Sequence, residues 1–134
     1  MKFPYRKINL KNPFNSKQFI LRPIIPFSIK YKDRVLRFEA LIDSGADFNI
    51  FPVEIAEKLE VTLKNSDHIA FAGVGGNIIN GIKAEVMLEI GSWEIKTKVV
   101  FAPVDSGILG QYGFFDLYQV NFNLKRKIIK IEFK

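Results

Sequence analysis

ALIDSGADFNIFP, residues 40–52, carries an apolar strand straight into an acid, a hydroxyl and a glycine. The run that leads into it, VLRFEALID (35–43), alternates with a period of two. That spacing puts Leu36, Phe38, Ala40 and Ile42 on one face of a strand. Asp43 falls on the other face with Glu39 and Leu41, at the strand's end. Gly45 then permits a tight turn with backbone close by. A carboxylate held this way can orient and deprotonate a water. An ordinary strand-end turn residue is the plainer reading of Asp43 alone. The chain spells Asp-Ser-Gly again at 105–107, in APVDSGILG, but there the triplet precedes an apolar strand instead of ending one.

Outward from this stretch the pattern stays mostly β from Phe19 onward. PFSIKYK (26–32) alternates, and Asp33 and Arg34 suggest a turn. PVEIAEKLEV (52–61) is the best helix, with Pro52 in the first turn, where its missing N–H leaves no bond unmade. Residues 68–91 read as two strands around a glycine-rich tip, Gly73-Val74-Gly75-Gly76. A further strand is expected over 92–103, a short buried one over 108–110, a short helix over 112–119, and a closing hairpin over 120–134 that turns near Lys125. Residues 1–18 are basic, contain Pro4 and Pro13, and read as an N-terminal extension or arm to a domain spanning 19–134. The fold class predicted is all-β with one or two short helices.

Composition narrows the chemistry. A chain of 134 residues, 48% hydrophobic and 25% charged, is sized for one folded domain with a real core. The net charge of +6 favours anions weakly. Its basic residues are scattered, and the densest run, Lys125-Arg126-Lys127, sits in an expected turn. No strand interleaves aromatic and basic residues on one face, so nucleic-acid binding is not the favoured reading. With no cysteine there is no disulfide, thiol nucleophile or Cys-based zinc site. His68 is the only histidine, which excludes a multi-His metal site. The glycines at 73–76 lack the Gly-Lys-Ser/Thr of a phosphate cradle. Neither a metal nor an organic cofactor is called for. Trp93, Phe114 and Phe115 read as core contacts. No run approaches the roughly 18 apolar residues of a membrane span, and the cytoplasm is the default location.

A lone carboxylate is a weak base for amide hydrolysis. Two carboxylates about 3 Å apart cannot both ionise easily, so the pair supplies both an acid and a base. A domain this small holds one such acid. A two-fold homodimer would bring Asp43 of each chain to the axis. The glycine-rich tip could then close over an extended peptide as a lid, the peptide binding through its backbone as an added strand.

The ordered features resemble those of retropepsin-like aspartic proteases, the single-lobe relatives of retroviral protease. Leu41-Ile42-Asp43-Ser44-Gly45-Ala46 looks like the family's active-site motif. A segment like residues 51–59 follows it, then a glycine-rich flap like 71–79. Ile108-Leu109-Gly110 with YGFFDLY comes next, and a final hairpin like 120–133 is typical of prokaryotic members. The resemblance implies a closed β-barrel and an aspartic endopeptidase acting as a homodimer on a peptide or protein substrate. By the same resemblance Asp43 is the catalytic aspartate. Ser44 would link the two active-site loops through its hydroxyl. Gly45 would offer its carbonyl to substrate, Ala46 would complete the loop, and Asp47 would meet substrate backbone. Gly73, Val74, Gly75 and Gly76 would form the flap tip. Asp105, Ile108 and Leu109 would lie along the substrate cleft. Gln111 and Tyr112 stand where retroviral enzymes usually carry Arg-Asn, and a glutamine cannot neutralise an acid. Two other readings stay open: a peptide-binding module of the same fold that does not cut, and a small basic β-barrel that binds nucleic acid.

Overall fold

Alternating burial sets most of the elements. The protein is described here by a computed structural model that covers residues 1–11, 18–73 and 75–134. Residues 12–17 of the expected arm, and Val74 of the expected flap tip, lie outside the described residues. Among the described residues twelve strands and one α-helix follow in order. They are β1 (Lys2–Pro4), β2 (Arg6–Asn9), β3 (Phe19–Arg22), β4 (Ile24–Tyr31), β5 (Arg34–Ile42), β6 (Ile50–Pro52), α1 (Val53–Lys58), β7 (His68–Ala72), β8 (Ile78–Ile90), β9 (Trp93–Ala102), β10 (Gly107–Leu109), β11 (Tyr118–Asn123) and β12 (Ile128–Phe133). The all-β expectation holds. On β5 the side chains of Leu36, Phe38, Ala40 and Ile42 turn inward, as its period of two requires.

Seven strands form the main sheet in the order β4-β5-β10-β6-β9-β8-β7. A further antiparallel pairing, Ser28–Lys30 against Met87–Glu89, joins β4 directly to β8. Two neighbours are parallel, β5 with β10 and β6 with β9. The amino-terminal β1 pairs with β12, which pairs with β11, making a separate three-stranded sheet. β2 pairs with β3. Arg6 on β2 reaches Glu39 on β5 with both terminal guanidinium nitrogens. Hydrogen bonding to Arg6 holds the Glu39 carboxyl below its usual range.

The core between these strands is aromatic at its centre. Phe51 is fully buried, with ring centroids 5.4 Å from Phe27, 6.4 Å from Phe38 and 6.4 Å from Phe101. At the other end Trp93 stacks on Tyr118 at 5.7 Å. A second, smaller cluster of Ile50, Val100 and Ala102 gathers Phe48, Ile69, Phe71, Ile79, Val104 and Ile108 around it. His68 belongs to the β7–β8 hairpin, its Nε2 lying 3.0 Å from Asn80 Oδ1.

Two local expectations need correction. The helix read over 52–61 is only six residues long. It stops because Glu60 takes a left-handed φ of 55°. There the Val61 N–H bonds back to Ala56 and the Glu60 N–H to Glu57, a Schellman closure. The helix expected over 112–119 is absent: Tyr112 makes a β-bridge and residues 113–117 are consecutive turns. Gly113 sits at φ 88°. The N–H groups of Phe115 and Asp116 reach five residues back, to Gly110 and Gln111. An α-helix would bond four residues back, so the wider loops prevent one from propagating. The closing hairpin turns through the exposed residues Leu124–Lys127, as expected.

Replacing Phe51 by alanine opens a cavity at the meeting point of four rings. The expected loss is about 3–5 kcal/mol. Val35→Ala, at a position 59% exposed, should change stability by less than about 0.5 kcal/mol. Denaturant titration checks both; similar losses at the two positions would contradict this account of the core.

Candidate active site

Asp43 lies one residue past β5, still held by the sheet. Its N–H donates to the Leu109 carbonyl at 3.0 Å, which carries the parallel β5–β10 pairing one step beyond the strand. The chain then folds tightly. Gly45 N–H donates to Asp43 Oδ1 at 2.9 Å, and Ala46 N–H donates to the Asp43 carbonyl at 3.2 Å. The first bond is an Asx turn and the second closes a four-residue turn around it. Asp43 is half-buried, while Ser44, Gly45 and Asp47 are exposed. The result is a carboxylate with a fixed origin, one oxygen engaged by backbone and a short exposed loop beside it.

A second segment clamps this loop from the carboxyl-terminal half of the chain. Gln111 N–H donates to the Ala46 carbonyl at 2.8 Å, and Tyr112 N–H to the Asp47 carbonyl at 2.9 Å. Phe48 and Tyr112 form a parallel bridge. The Gln111 side chain adds a bond from Nε2 to the Ser44 carbonyl at 2.7 Å. Just before it, Gly110 N–H donates to Oδ1 of the buried Asn49 at 2.9 Å. Asn49 is 0% exposed, and its own carbonyl accepts Val100 N–H at 2.8 Å. One buried amide therefore joins the segment before β6, the segment after β10, and β9. Its Nδ2 has no hydrogen-bond partner among the described residues.

The glycine-rich tip stands between β7 and β8. Gly73 N–H donates to the Asn77 carbonyl at 2.7 Å and Gly76 N–H to the Gly73 carbonyl at 3.1 Å. Gly75 and Gly76 have φ of 89° and 82°, which side chains rarely adopt. The strands below it supply Ile69, Phe71 and Ile79 to the smaller apolar cluster, where they meet Phe48 and Ile108. Of the residues read as lining the cleft, Ile108 is half-buried in that cluster and Asp105 is exposed in the bend before β10. Leu109 faces the main core, fully buried, and meets Asp43 through its carbonyl. Among the described residues no group of three or more His, Asp or Glu is placed to hold a metal ion.

Two residues of this constellation carried little signal in the sequence. Asn49 is a lone polar residue inside the run FNIFP, a hint that a buried partner awaits it. Gln111 is a polar residue directly after the Ile-Leu-Gly strand, notable in the sequence only for not being an arginine.

The sequence matches the profile of a family described as aspartyl protease over residues 27–112, well over half of the chain. Among solved structures, EIAV protease in complex with an inhibitor is similar in fold, with a TM-score of 0.57 and 22% identity. The alignment covers 75% of this chain and 88% of that one. No curated protein matches.

Gly110 sets the closeness of the two segments. A Cβ there would lie 2.4 Å from the Phe48 carbonyl oxygen and 2.7 Å from that of Ala46. Both are backbone atoms that cannot swing aside. Gly110→Ala should therefore lower stability by about 3 kcal/mol, measured by thermal or denaturant unfolding. An unchanged unfolding midpoint would contradict the described crossing.

Proposed function

The chain belongs to the aspartyl protease family, and we propose that it cuts peptides as a homodimer, with Asp43 of each subunit forming the catalytic pair. That it is a peptide hydrolase with a retropepsin-like β fold follows from the family and the fold. The pairing, the flap and the roles of single residues are our reading. The observation that carries it is the Asp43 turn: one carboxylate per chain, anchored through its own N–H to Leu109 and through Oδ1 to Gly45.

In this reading a two-fold axis passes beside the exposed loop 44–47, and the two Asp43 carboxyls share one proton. A water sits between them. The ionised carboxyl takes a proton from this water as its oxygen attacks the peptide carbonyl carbon. The protonated carboxyl gives its proton to the carbonyl oxygen. The tetrahedral diol then collapses: the carboxyl that took the water's proton gives it to the nitrogen, the C–N bond breaks and the amine leaves, and a diol hydroxyl gives its proton to the other carboxylate, so that the pair again holds one proton. No covalent intermediate with the enzyme forms. The exposed Ser44 hydroxyl is available to bond across the axis, and Asp47 to receive a substrate N–H. The hairpin tip at Gly73–Gly76 would fold over the substrate and exclude water. The half-buried Phe48, Ile79 and Ile108 at the edge of the smaller apolar cluster support a preference for apolar substrate side chains.

Asp43→Asn removes the ionisable group and little volume. Cleavage of unfolded casein across pH 3–8 should be lost in this variant, while its unfolding midpoint and dimer stay near wild type. Turnover close to wild type would rule out the paired-aspartate mechanism. If neither protein cleaves casein at any pH, two readings are left, a highly selective protease and a fold that binds peptide without cutting it.

Sharing one site between two chains also has a kinetic signature. The rate per chain should fall on dilution through the dimer dissociation constant, in step with monomer appearing in sedimentation. A rate per chain that stays constant while the protein sediments as a monomer would show that one subunit suffices.

A further inference from the structure

One peptide unit next to Asp43 is gripped at both ends. The unit joins Ser44 to Gly45. Its N–H donates to Asp43 Oδ1 at 2.9 Å, and its carbonyl oxygen accepts the Gln111 side-chain N–H at 2.7 Å. A peptide unit is planar and conjugated. Fixing its oxygen therefore fixes the direction of its N–H. A donor on the oxygen also draws electron density away from nitrogen, which makes the N–H a stronger donor. The turned-over Gln111 amide would set its oxygen against the Ser44 oxygen, so the nitrogen is the end that faces it.

The root of the Gln111 side chain is held as firmly as its tip. Its N–H bonds to Ala46 at 2.8 Å, and its carbonyl accepts Asp116 N–H at 3.0 Å. The residue itself is exposed. Its side chain fills no part of either apolar cluster, which leaves the bond to Ser44 as its visible contribution.

We propose that Gln111 is a positioning residue for the Asp43 carboxylate, acting through the Ser44–Gly45 peptide unit. Gln111 does not touch the reacting atoms. It aims the Gly45 N–H at Oδ1 and so sets the carboxylate's rotation about its own side-chain bonds. The inference rests on the reading of Asp43 as the catalytic acid, and it adds a residue to that machinery.

Three substitutions separate the donor from the shape. Gln111→Met keeps length and loses the donor. Gln111→Glu sets a carboxylate oxygen against the Ser44 carbonyl. Gln111→Lys restores an N–H donor on a chain of similar reach. Expected for Met is a fall in kcat of about tenfold, the size of one hydrogen bond lost from an aligned site. KM should stay within about twofold. The loss should be larger for Glu, and Lys should recover most of it. The second readout needs no catalysis. Amide hydrogen exchange of Gly45, followed by NMR, should quicken in Met and Glu and slow again in Lys. Unchanged Gly45 exchange in Met would overturn the proposal. So would a rise in KM at constant kcat, or a Lys variant no better than Met. If the wild type cleaves no substrate, the protease reading falls, and the Gly45 exchange still decides whether Gln111 holds the turn.

Discussion

No side chain fits at position 110, and the rest of the candidate site depends on that fact. Gly110 lies against the carbonyls of Ala46 and Phe48 at a distance a methyl group would forbid. The close approach lets Gln111 and Tyr112 run beside residues 46–48 and bond to them through backbone. It also brings the Gly110 N–H to Asn49 and leaves Leu109 in register with Asp43. The position of the acid is thus a property of two crossing backbones more than of side-chain packing. Backbone crossings of this kind are stiff, because no rotamer change can relax them. Asn49 carries the penalty: its Nδ2 has no partner among the described residues, and an unpartnered donor in a fully buried residue costs about 1–3 kcal/mol. Its other contacts offset this by tying three segments together.

The two apolar clusters divide the molecule into parts of different firmness. β9 shows the division most clearly. Ile95, Val99 and Phe101 point into the main core, while Val100 and Ala102 point the other way. Along Glu94–Lys98 that other face meets solvent, and it becomes covered only where Phe48 and the β7–β8 hairpin cross it. The hairpin strands bury one side only: every residue of β7 is exposed or half-buried. Few fully buried contacts place a segment at the low end of local stability. The anchored Asp43 turn and the loosely packed β7–β8 hairpin therefore differ in local stability.

Local pattern made much of this legible. The inward face of β5, the hairpin around Gly73–Gly76 and the closing hairpin all follow from alternation and turn residues within a few positions. The resemblance of the Asp-Ser-Gly stretch, the flap and the Ile-Leu-Gly strand pointed to the family. What escaped depends on distant partners. β6 is three residues long and exists because β9 and β10 flank it. The turns at 113–117 override a helical-looking composition because Gly113 is left-handed and the backbone reaches back to Gly110. The strand roles of residues 2–4 and 6–9 were hidden for the same reason, since their partners lie on β12 and β3. Gln111 and Asn49 gain meaning only when segments 67 and 61 residues away arrive.

Those separations carry a consequence for the folding pathway. The pairings that hold Asp43 in place link the two halves of the chain, and β1 joins β12 across nearly its whole length. Closing such loops is entropically unfavourable before the contacts form, which places a fold of this topology among the slow ones. During synthesis the turn at Asp43 emerges well before Leu109, Gly110 and Gln111 exist to clamp it. A nascent or truncated chain therefore carries the acid without its frame. The frame around Asp43 arrives late, with the last fifth of the sequence.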